Sequence, residues 1–422
     1  MDASSCPRVV VVGGGFAGLW ATRALARDRV RITLVDRSNH HLFQPLLYQV
    51  ATAGLSSTDI AAPLRHILRR QRNVEIRLAN VDAIDPAAGC IRMDDGTSLA
   101  YDYLLLAAGA AHAYFGNDQW AAHAPGLKTL DDALGIRRRV LLAFERAEAE
   151  ADPARRAAWL DFAIIGGGPT GVELAGTLAE IARHTLRDEF RNIEPASARV
   201  RLVEAGPRVL ASFPEDLSER ARRQLQRLGV EVLTGTPVSA IDATGYHLGE
   251  RFMPSRTVLW AAGVAASPLA QSLGVPLDRA GRVPVEPDLG VPGHPRIFVA
   301  GDLAAVTRPD GEPVPGVAPA AKQMGRHAAR AIRARIGGHA APAFGYRDWG
   351  NLATIGRMAA VVHFGRIKLS GVLAWWFWLL VHIMFLIGFR NRVVVMFNWT
   401  WAYWSYQRAA RIIFGKGGSG DT

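Results

Sequence analysis

A short β-branched strand running into G-x-G-x-x-G occurs twice in this chain, and that repeat constrains the fold more than any other feature. The first copy is Arg8–Val12 (RVVVV) followed by Gly13, Gly14, Gly15, Phe16, Ala17 and Gly18. The second is Asp161–Ile165 (DFAII) followed by Gly166, Gly167, Gly168, Pro169, Thr170 and Gly171. In such a turn the first glycine allows the tight bend and the second lets the backbone approach a pyrophosphate. The third lets helix and strand pack closely. The helix N-terminus then offers free N–H groups to phosphate. Pro169 fits there, because the first helical N–H groups have no intrahelical partner. Each copy is followed by a strand ending in an acid. Residues 30–35 lead to Asp36, 23 residues after Gly13, and Arg199–Val203 leads to Glu204. A carboxylate at that place accepts the hydroxyls of an adenosine ribose.

A late strand separates the two sites chemically. Residues 296–302 (RIFVAGD) end in Gly301 and Asp302. In two-dinucleotide flavoproteins such a strand returns to the first domain, and its Asp bonds the ribityl and phosphate region of FAD. Residues 103–109 (YLLLAAG) form a hydrophobic strand whose small end, Ala108 and Gly109, lets the chain cross close to a cofactor. The expected FAD set is therefore Gly13, Gly14, Gly15, Phe16, Ala17, Gly18, Asp36, Arg37, Ala108, Gly109, Gly301 and Asp302. The second site is expected to take NADH through Gly166, Gly168, Pro169, Thr170, Gly171 and Glu204, with Ala262 and Gly263 closing residues 257–263 (TVLWAAG). Glu204 suits a ribose diol and repels a 2′-phosphate, although Arg208 lies near enough in sequence to blur that preference. Glu173 has two open readings: a first-turn carboxylate favoured by the helix dipole, or a group near the nicotinamide.

The expected fold is α/β, with two Rossmann-like dinucleotide-binding domains, one inserted in the other, plus a C-terminal membrane-associating helical segment. The expected bounds are 1–115 and 273–345 for the FAD domain, 116–272 for the NADH domain and 346–422 for the anchor. The 422 residues suffice for two to three domains. Only Cys6 and Cys90 are present, in no ligand or C-x-x-C spacing, which excludes a disulfide framework, a zinc site and a redox thiol pair. No H-E-x-x-H occurs, and the adjacent His40 and His41 would face opposite ways in a strand, so no metal is expected. The opening residues lack the charged and apolar regions of a secretory signal.

The order of motifs over residues 8 to about 335 resembles the pyridine nucleotide–disulfide reductase superfamily, but the C-x4-C pair of the disulfide reductases is absent. In its place stand residues 39–56 (NHHLFQPLLYQVATAGLS) and 59–65 (DIAAPLR), which resemble type II NADH:quinone oxidoreductases, the non-proton-pumping NADH dehydrogenases. That resemblance implies that Gln44 and Pro45 neighbour the flavin, while Leu46 and Leu47 read as core. It also implies a helix from near Pro319 towards Arg335 with its N-terminus at the flavin pyrimidine edge. The family pattern A-Q-x-A-x-Q-x-G is met by Ala318-Pro319-Ala320-Ala321-Lys322-Gln323-Met324-Gly325. Pro319 thus replaces a Gln used at the quinone site. Lys322 and Gln323 are the nearest substitutes, the bland alternative for Lys322 being a solvated helix lysine.

The net charge of +11 is unevenly spread. From Tyr346 onward there are nine Lys/Arg against Asp348 and Asp421, and seven of the eleven tryptophans, within aliphatic runs that suit lipid better than nucleic acid. Residues 369–389 carry no formal charge, and as one helix would span about 31 Å, roughly the hydrocarbon thickness. Against a spanning helix, Trp375, Trp376 and Trp378 cluster, Arg390 and Arg392 follow, and residues 393–414 mix Phe397, Trp401 and Trp404 with Asn398, Arg408 and Arg411. The expectation is monotopic attachment at the cytoplasmic face of an inner membrane. Residues 346–365 read as strands closing the flavin domain. The expected activity is NADH oxidation through FAD with two-electron reduction of a membrane quinone, ubiquinone or menaquinone. A homodimer is implied by resemblance alone. The enzymatic rival is a soluble NADH-dependent ferredoxin or rubredoxin reductase, which should lack the aromatic tail. The non-enzymatic rival is a flavin-containing NADH sensor.

Overall fold

The structure, a computed structural model, describes residues 6–387, 389–405 and 410–413. Strand β1 (Arg8–Val12) feeds helix α1 (Phe16–Ala24), β2 (Arg31–Asp36) follows, and β3 (Tyr103–Leu106) closes the first pass. The same order recurs as β4 (Asp161–Ile165), α2 (Pro169–Glu180), β5 (Arg199–Val203) and β6 (Thr257–Trp260). The chain returns through β7 (His294–Val299) and α3 (Ala318–Ile336). It ends in β8 (Asn351–Gly356), β9 (Ala359–Phe364), β10 (Ile367–Gly371), α4 (Val372–Phe385) and α5 (Phe389–Ser405).

Two compact units result. The first comprises residues up to 42, 61–111 and 264–349; the second comprises 43–60, 112–263 and the chain from 350. The second Rossmann unit is thus inserted within the first, as expected. The first unit holds a six-stranded sheet ordered Gly290–Val291, β7, β3, β1, β2, Val74–Leu78. Its central strands are parallel, with Val10 opposite Thr33 on one side and Leu104 on the other. Parallel sheets are covered on both faces, which is why β1 reads as unbroken valine rather than as alternation. Helices α1 and α3 cross closely because Gly325 has no side chain: a Cβ there would lie 2.1 Å from the Ala17 carbonyl oxygen.

The second unit carries a four-stranded parallel sheet ordered Val230–Leu233, β5, β4, β6. Across its strands Arg201 of β5 pairs with Asp161 of β4 and, at 2.8 Å, with Glu231. The antiparallel meander β8–β9–β10 also lies in this unit, not in the flavin domain that residues 346–365 were expected to close. Gly176 supplies the reason. A Cβ at that point of α2 would fall 1.6 Å from the Ile355 carbonyl oxygen, so only glycine lets β8 pack on α2.

The uncharged run 369–389 is not one helix. Its first three residues belong to β10, and the 14 residues of α4 span about 21 Å before Leu386 turns extended. Among the described residues, no helix is long and apolar enough to cross a membrane. Ala374 and Trp378 face inward, and Trp378 stacks on His382 at 4.2 Å and meets Trp399 at 5.4 Å. Trp399 Nε1 donates to Gln49 Oε1 at 2.7 Å, tying α5 to residues 43–60. His382 is packed in this stack, and burial pushes its imidazole down to about 4. Trp404 and Arg408 of the expected tail lie outside the residues whose side chains are described.

Candidate functional site

In the first unit, helix α1 begins at Gly15 with no side-chain cap, so its first N–H groups remain available. Two of the three motif glycines are sterically obligatory. A Cβ at Gly13 would sit 2.3 Å from the Ala107 carbonyl oxygen, and one at Gly18 would sit 1.8 Å from that of Gly13. Gly15 is different: nothing lies within 4 Å of its absent Cβ, which leaves an open cradle before an uncapped helix. Asp36 ends β2 beside it, Oδ2 accepting from Gly14 N at 2.5 Å and Oδ1 from Ser38 N at 2.6 Å. Burial pushes this carboxyl up against the pull of those two bonds. Arg37 next to it is exposed. Ala108 and Gly109 follow β3, where Gly109 has φ +70° and open space at its own Cβ position. A Cβ at Gly301 (φ +80°) would lie 3.4 Å from Ala17 Cβ, and one at Gly316 would lie 3.5 Å from Asp302 Oδ1.

The second unit repeats this geometry. Helix α2 starts at Gly168 without a side-chain cap and with Pro169 in its first turn. A Cβ at Gly171 would fall 1.8 Å from the Gly166 carbonyl oxygen, while that of Gly168 meets nothing within 4 Å. Glu204 Oε2 accepts from Gly167 N at 2.5 Å and Oε1 from Gly206 N at 2.6 Å. Arg208 is turned to its own loop, donating to the Phe213 carbonyl at 2.7 Å and the Ala211 carbonyl at 2.8 Å. Thr170 stands in the first turn of α2, and Ala262 and Gly263 follow β6 half-buried. Each cradle thus fits a dinucleotide: open space, free N–H groups and a carboxylate at one end.

The three residues singled out for chemistry fare differently. Glu173 is not in the first turn of α2, which contains no acid, so the capping reading is corrected. It lies one turn further in, buried, with its carboxyl accepting the Thr354 N–H, and burial pushes its pKa well up. Lys322 is not a solvated lysine. It is 7 % exposed, with Nζ 4.8 Å from the Trp20 ring centre and 5.0 Å from that of Phe16. Burial, then Arg326, lowers it to about 8. Gln323 does not hold its amide towards a ligand. Its Nε2 donates to the Arg347 carbonyl and its Oε1 accepts from Arg347 N, both at 2.9 Å, so the side chain clamps the main chain instead. Gln44 and Pro45 sit on a 3-10 turn of the second unit, where Leu46 and Leu47 are core.

Three contributors escaped the motif reading. Gly167 is needed because its N–H fixes Glu204 and a Cβ would press on that side chain at 3.0 Å. His41 Nδ1 lies 2.9 Å from the Gly14 carbonyl oxygen, so that nitrogen carries the proton. Burial lowers the ring to about 4, and its edge rests on Phe16 at 5.0 Å. His41 therefore backs the first cradle as a neutral group. Thr354 holds Glu173 from β8, a contact between elements 181 residues apart that no local pattern announces. Among the described residues no cluster of His, Cys, Asp or Glu could hold a metal ion.

Comparison with known proteins follows these features. Residues 7–325 match the family described as pyridine nucleotide-disulphide oxidoreductase, and residues 349–404 match the NDH2 C-terminal domain. Two proteins of Mycobacterium tuberculosis named type II NADH:quinone oxidoreductase are 46 % and 47 % identical, over 95 % and 93 % of this chain and 89 % and 86 % of theirs. The solved structure of NDH2 from Plasmodium falciparum in complex with NADH superposes with a TM-score of 0.88. That match covers 97 % of this chain and all of that one at 19 % identity, a likeness of fold.

Proposed function

Because the chain belongs to the pyridine nucleotide–disulphide oxidoreductases and, within them, to the type II NADH:quinone oxidoreductases, we propose how its two cradles divide that work. The enzyme is a flavoprotein that oxidises NADH and reduces a quinone, with FAD and NADH as its cofactors. We assign FAD to the first unit and NADH to the second. The observation that carries this is the paired cradle: Gly15 with Asp36, and Gly168 with Glu204. Bound FAD supplies a two-electron carrier between NADH and quinone. The chain supplies position, charge and protons.

In the first unit, Gly13, Gly14, Gly15, Phe16, Ala17 and Gly18 would hold the FAD phosphates on α1, and Asp36 with Arg37 would take the adenosine end. Ala108, Gly109, Gly301 and Asp302 would line the rest. In the second unit, Gly166, Gly168, Pro169, Thr170 and Gly171 would take the NADH pyrophosphate, Glu204 the ribose diol, and Ala262 and Gly263 the nicotinamide half. The self-bonded guanidinium of Arg208 supports NADH over NADPH, since it is engaged with two carbonyls.

Quinone reduction takes up two protons with two electrons, whereas NADH releases its two electrons with one. Two buried titratable groups could hold the balance. Glu173 is a carboxyl that burial makes hold its proton more tightly, and Lys322 is an ammonium weakened by burial. Gln323 is assigned a positioning role, fixing the main chain at Arg347.

We further propose that the enzyme lies on a lipid surface through α4 and α5, at the cytoplasmic face of an inner membrane. Leu373, Trp376, Phe377, Leu380 and Met384 recur at helical spacing on the exposed side of α4, and Met396, Phe397 and Trp401 do so on α5. Such a patch suits insertion into one leaflet. Pairing of two copies is part of this proposal, checked by sedimentation in detergent. The deciding experiment is anaerobic. NADH should bleach the oxidised-flavin absorbance of the purified protein, and a short-chain ubiquinone or menaquinone should restore it. Bleaching without recovery would remove the quinone step and favour a soluble-type reductase.

A further inference from the structure

The turn at residues 114–117 carries a side chain that its backbone disfavours. Asn117 N donates to the Tyr114 carbonyl oxygen at 3.0 Å, closing a four-residue turn. Both central residues have positive φ, +52° at Phe115 and +85° at Gly116. That is the mirror-image turn class, whose first central place goes to Asn, Asp or Gly because a branched or bulky side chain strains there. Phe115 occupies it, and its ring is 69 % exposed. The turn therefore bears an unfavourable dihedral in order to hold a large apolar ring in solvent.

The turn is also fixed in place. Trp260 Nε1 donates to the Ala113 carbonyl at 2.9 Å, and Ala113 N donates to the Gly263 carbonyl at 3.3 Å. Tyr114 stacks on Trp260 at 5.0 Å and donates its hydroxyl to the Ala124 carbonyl at 2.9 Å. Phe115 is thereby held against the end of β6: a methyl on Gly263 would fall 2.6 Å from its Cζ.

Sheet order says which half of a dinucleotide meets that ring. β4 lies between β5 and β6, and α2 starts from the end of β4. Glu204 marks the adenosine side, at the end of β5. A dinucleotide whose pyrophosphate sits at the start of α2 must extend its other half over the end of β6. There stand Ala262, Gly263 and, above Gly263, Phe115.

We propose that Phe115 is a positioning residue for the nicotinamide half of NADH, an apolar wall on which the nicotinamide and its ribose rest. The inference rests on the assignment of NADH to this unit. An aromatic wall favours one face of a planar ring and excludes water from it. The positive φ directs the ring across Gly263, where an ordinary turn residue would leave that end of the strand bare. Strain held at a ligand contact by surrounding packing is a recurrent arrangement.

The test uses the detergent-purified, FAD-loaded enzyme with Phe115→Asn and Phe115→Tyr. Asn suits the turn and removes the wall; Tyr keeps the wall. Binding of NAD+ and of ADP-ribose, which lacks nicotinamide, is measured by calorimetry, alongside the KM for NADH and the thermal midpoint. Phe115→Asn should weaken NAD+ and raise the KM for NADH about fivefold to tenfold, leave ADP-ribose within about twofold, and keep or raise the midpoint. Phe115→Tyr should restore wild-type NAD+ binding. Equal weakening of both ligands, or a fall in midpoint with NAD+ unchanged, would make Phe115 a structural residue and overturn the inference. Wild-type enzyme that binds NAD+ but not ADP-ribose would overturn the assignment of Glu204, and with it the orientation argued here. Wild type that binds neither would remove the NADH site itself.

Discussion

The main-chain N–H of Thr354, on β8, donates to the carboxyl of Glu173, buried on α2. One buried acid is thus held by one neutral donor, and burial outweighs that bond, so the protonated form is favoured in the fold. A carboxyl whose folded pKa lies above its ordinary 4.5 contributes its stability fully below that value. The contribution is lost as pH rises through the raised value.

Glu173→Gln should therefore gain on the wild type as pH increases. Gln keeps an acceptor for Thr354 N and cannot ionise. The difference in melting temperature, variant minus wild type, should rise by a few degrees as pH is taken from about 5 to about 9. If Glu173 also holds a proton for the quinone, the alkaline decline of quinone reduction should be flattened in the variant. Parallel melting curves across that range would show that Glu173 does not titrate there.

The glycines of the first cradle should separate folding from cofactor binding. At Gly18 a methyl would meet the Gly13 carbonyl oxygen at 1.8 Å, so Gly18→Ala should destabilise by about 1–3 kcal/mol with or without added FAD. At Gly15 no atom lies within 4 Å, so Gly15→Ala should fold normally. Its methyl occupies the space assigned to pyrophosphate, and FAD affinity should fall tenfold or more, about 1.4 kcal/mol. Flavin content after dialysis and the melting temperature of the stripped protein distinguish the two. A Gly15→Ala protein that keeps its flavin would move the pyrophosphate elsewhere.

Both cradles were legible because their chemistry is local. Gly13 to Asp36, and Gly166 to Glu204, are read from one strand–turn–helix–strand each. The insertion was legible because the late Gly301-Asp302 strand resembles a return to the first sheet. What was not legible depends on contacts made across the sequence. Of the two readings open for Glu173, neither shows that β8, far along the chain, supplies its hydrogen-bond donor. For Lys322 no local pattern decides between a site residue and a solvated lysine, because none reports that Phe16 and Trp20 lie against it. Residues 369–389 looked like one helix because hydropathy counts charge, whereas β9 pairs with residues 367–371 and takes the start of that run into a sheet.

That pairing changes how membrane attachment should be tested. Removing everything from residue 369 would cut into β10, strip β9 of that partner and remove the Trp399–Gln49 bond, so loss of binding would not identify the lipid contact. Point changes on the outer face will. Leu373, Phe397 and Trp401 are 72 %, 68 % and 66 % exposed. Leu373→Asp, Phe397→Asp and Trp401→Ser together should leave NADH:ferricyanide activity and the melting temperature near wild type. Flotation with anionic vesicles should fall at least tenfold, since each apolar side chain contributes about 1.5–3 kcal/mol on burial. Unchanged flotation would exclude this face as the lipid contact.

Lys322 offers a prediction with the opposite pH sign to Glu173. Its ammonium is lowered from 10.5 to about 8, by burial first and Arg326 second, while the rings of Trp20 and Phe16 partly compensate the charge. A base depressed in the fold contributes stability above its unfolded value and loses it as pH falls towards the folded one. Lys322→Met, which keeps length and removes charge, should thus be more stable than wild type below about pH 8, by up to about 3 kcal/mol. The two should converge as pH approaches 10. Function should run the other way. If the charged lysine assists quinone reduction, re-oxidation of the NADH-reduced enzyme by quinone should slow above about pH 8 in wild type. In Lys322→Met that step should be slow at every pH, with flavin bleaching by NADH unaffected. A variant that re-oxidises as fast as wild type at pH 7, yet shows the expected gain in stability, would confine Lys322 to the packing between α1 and α3 and leave the proton supply to Glu173 and water.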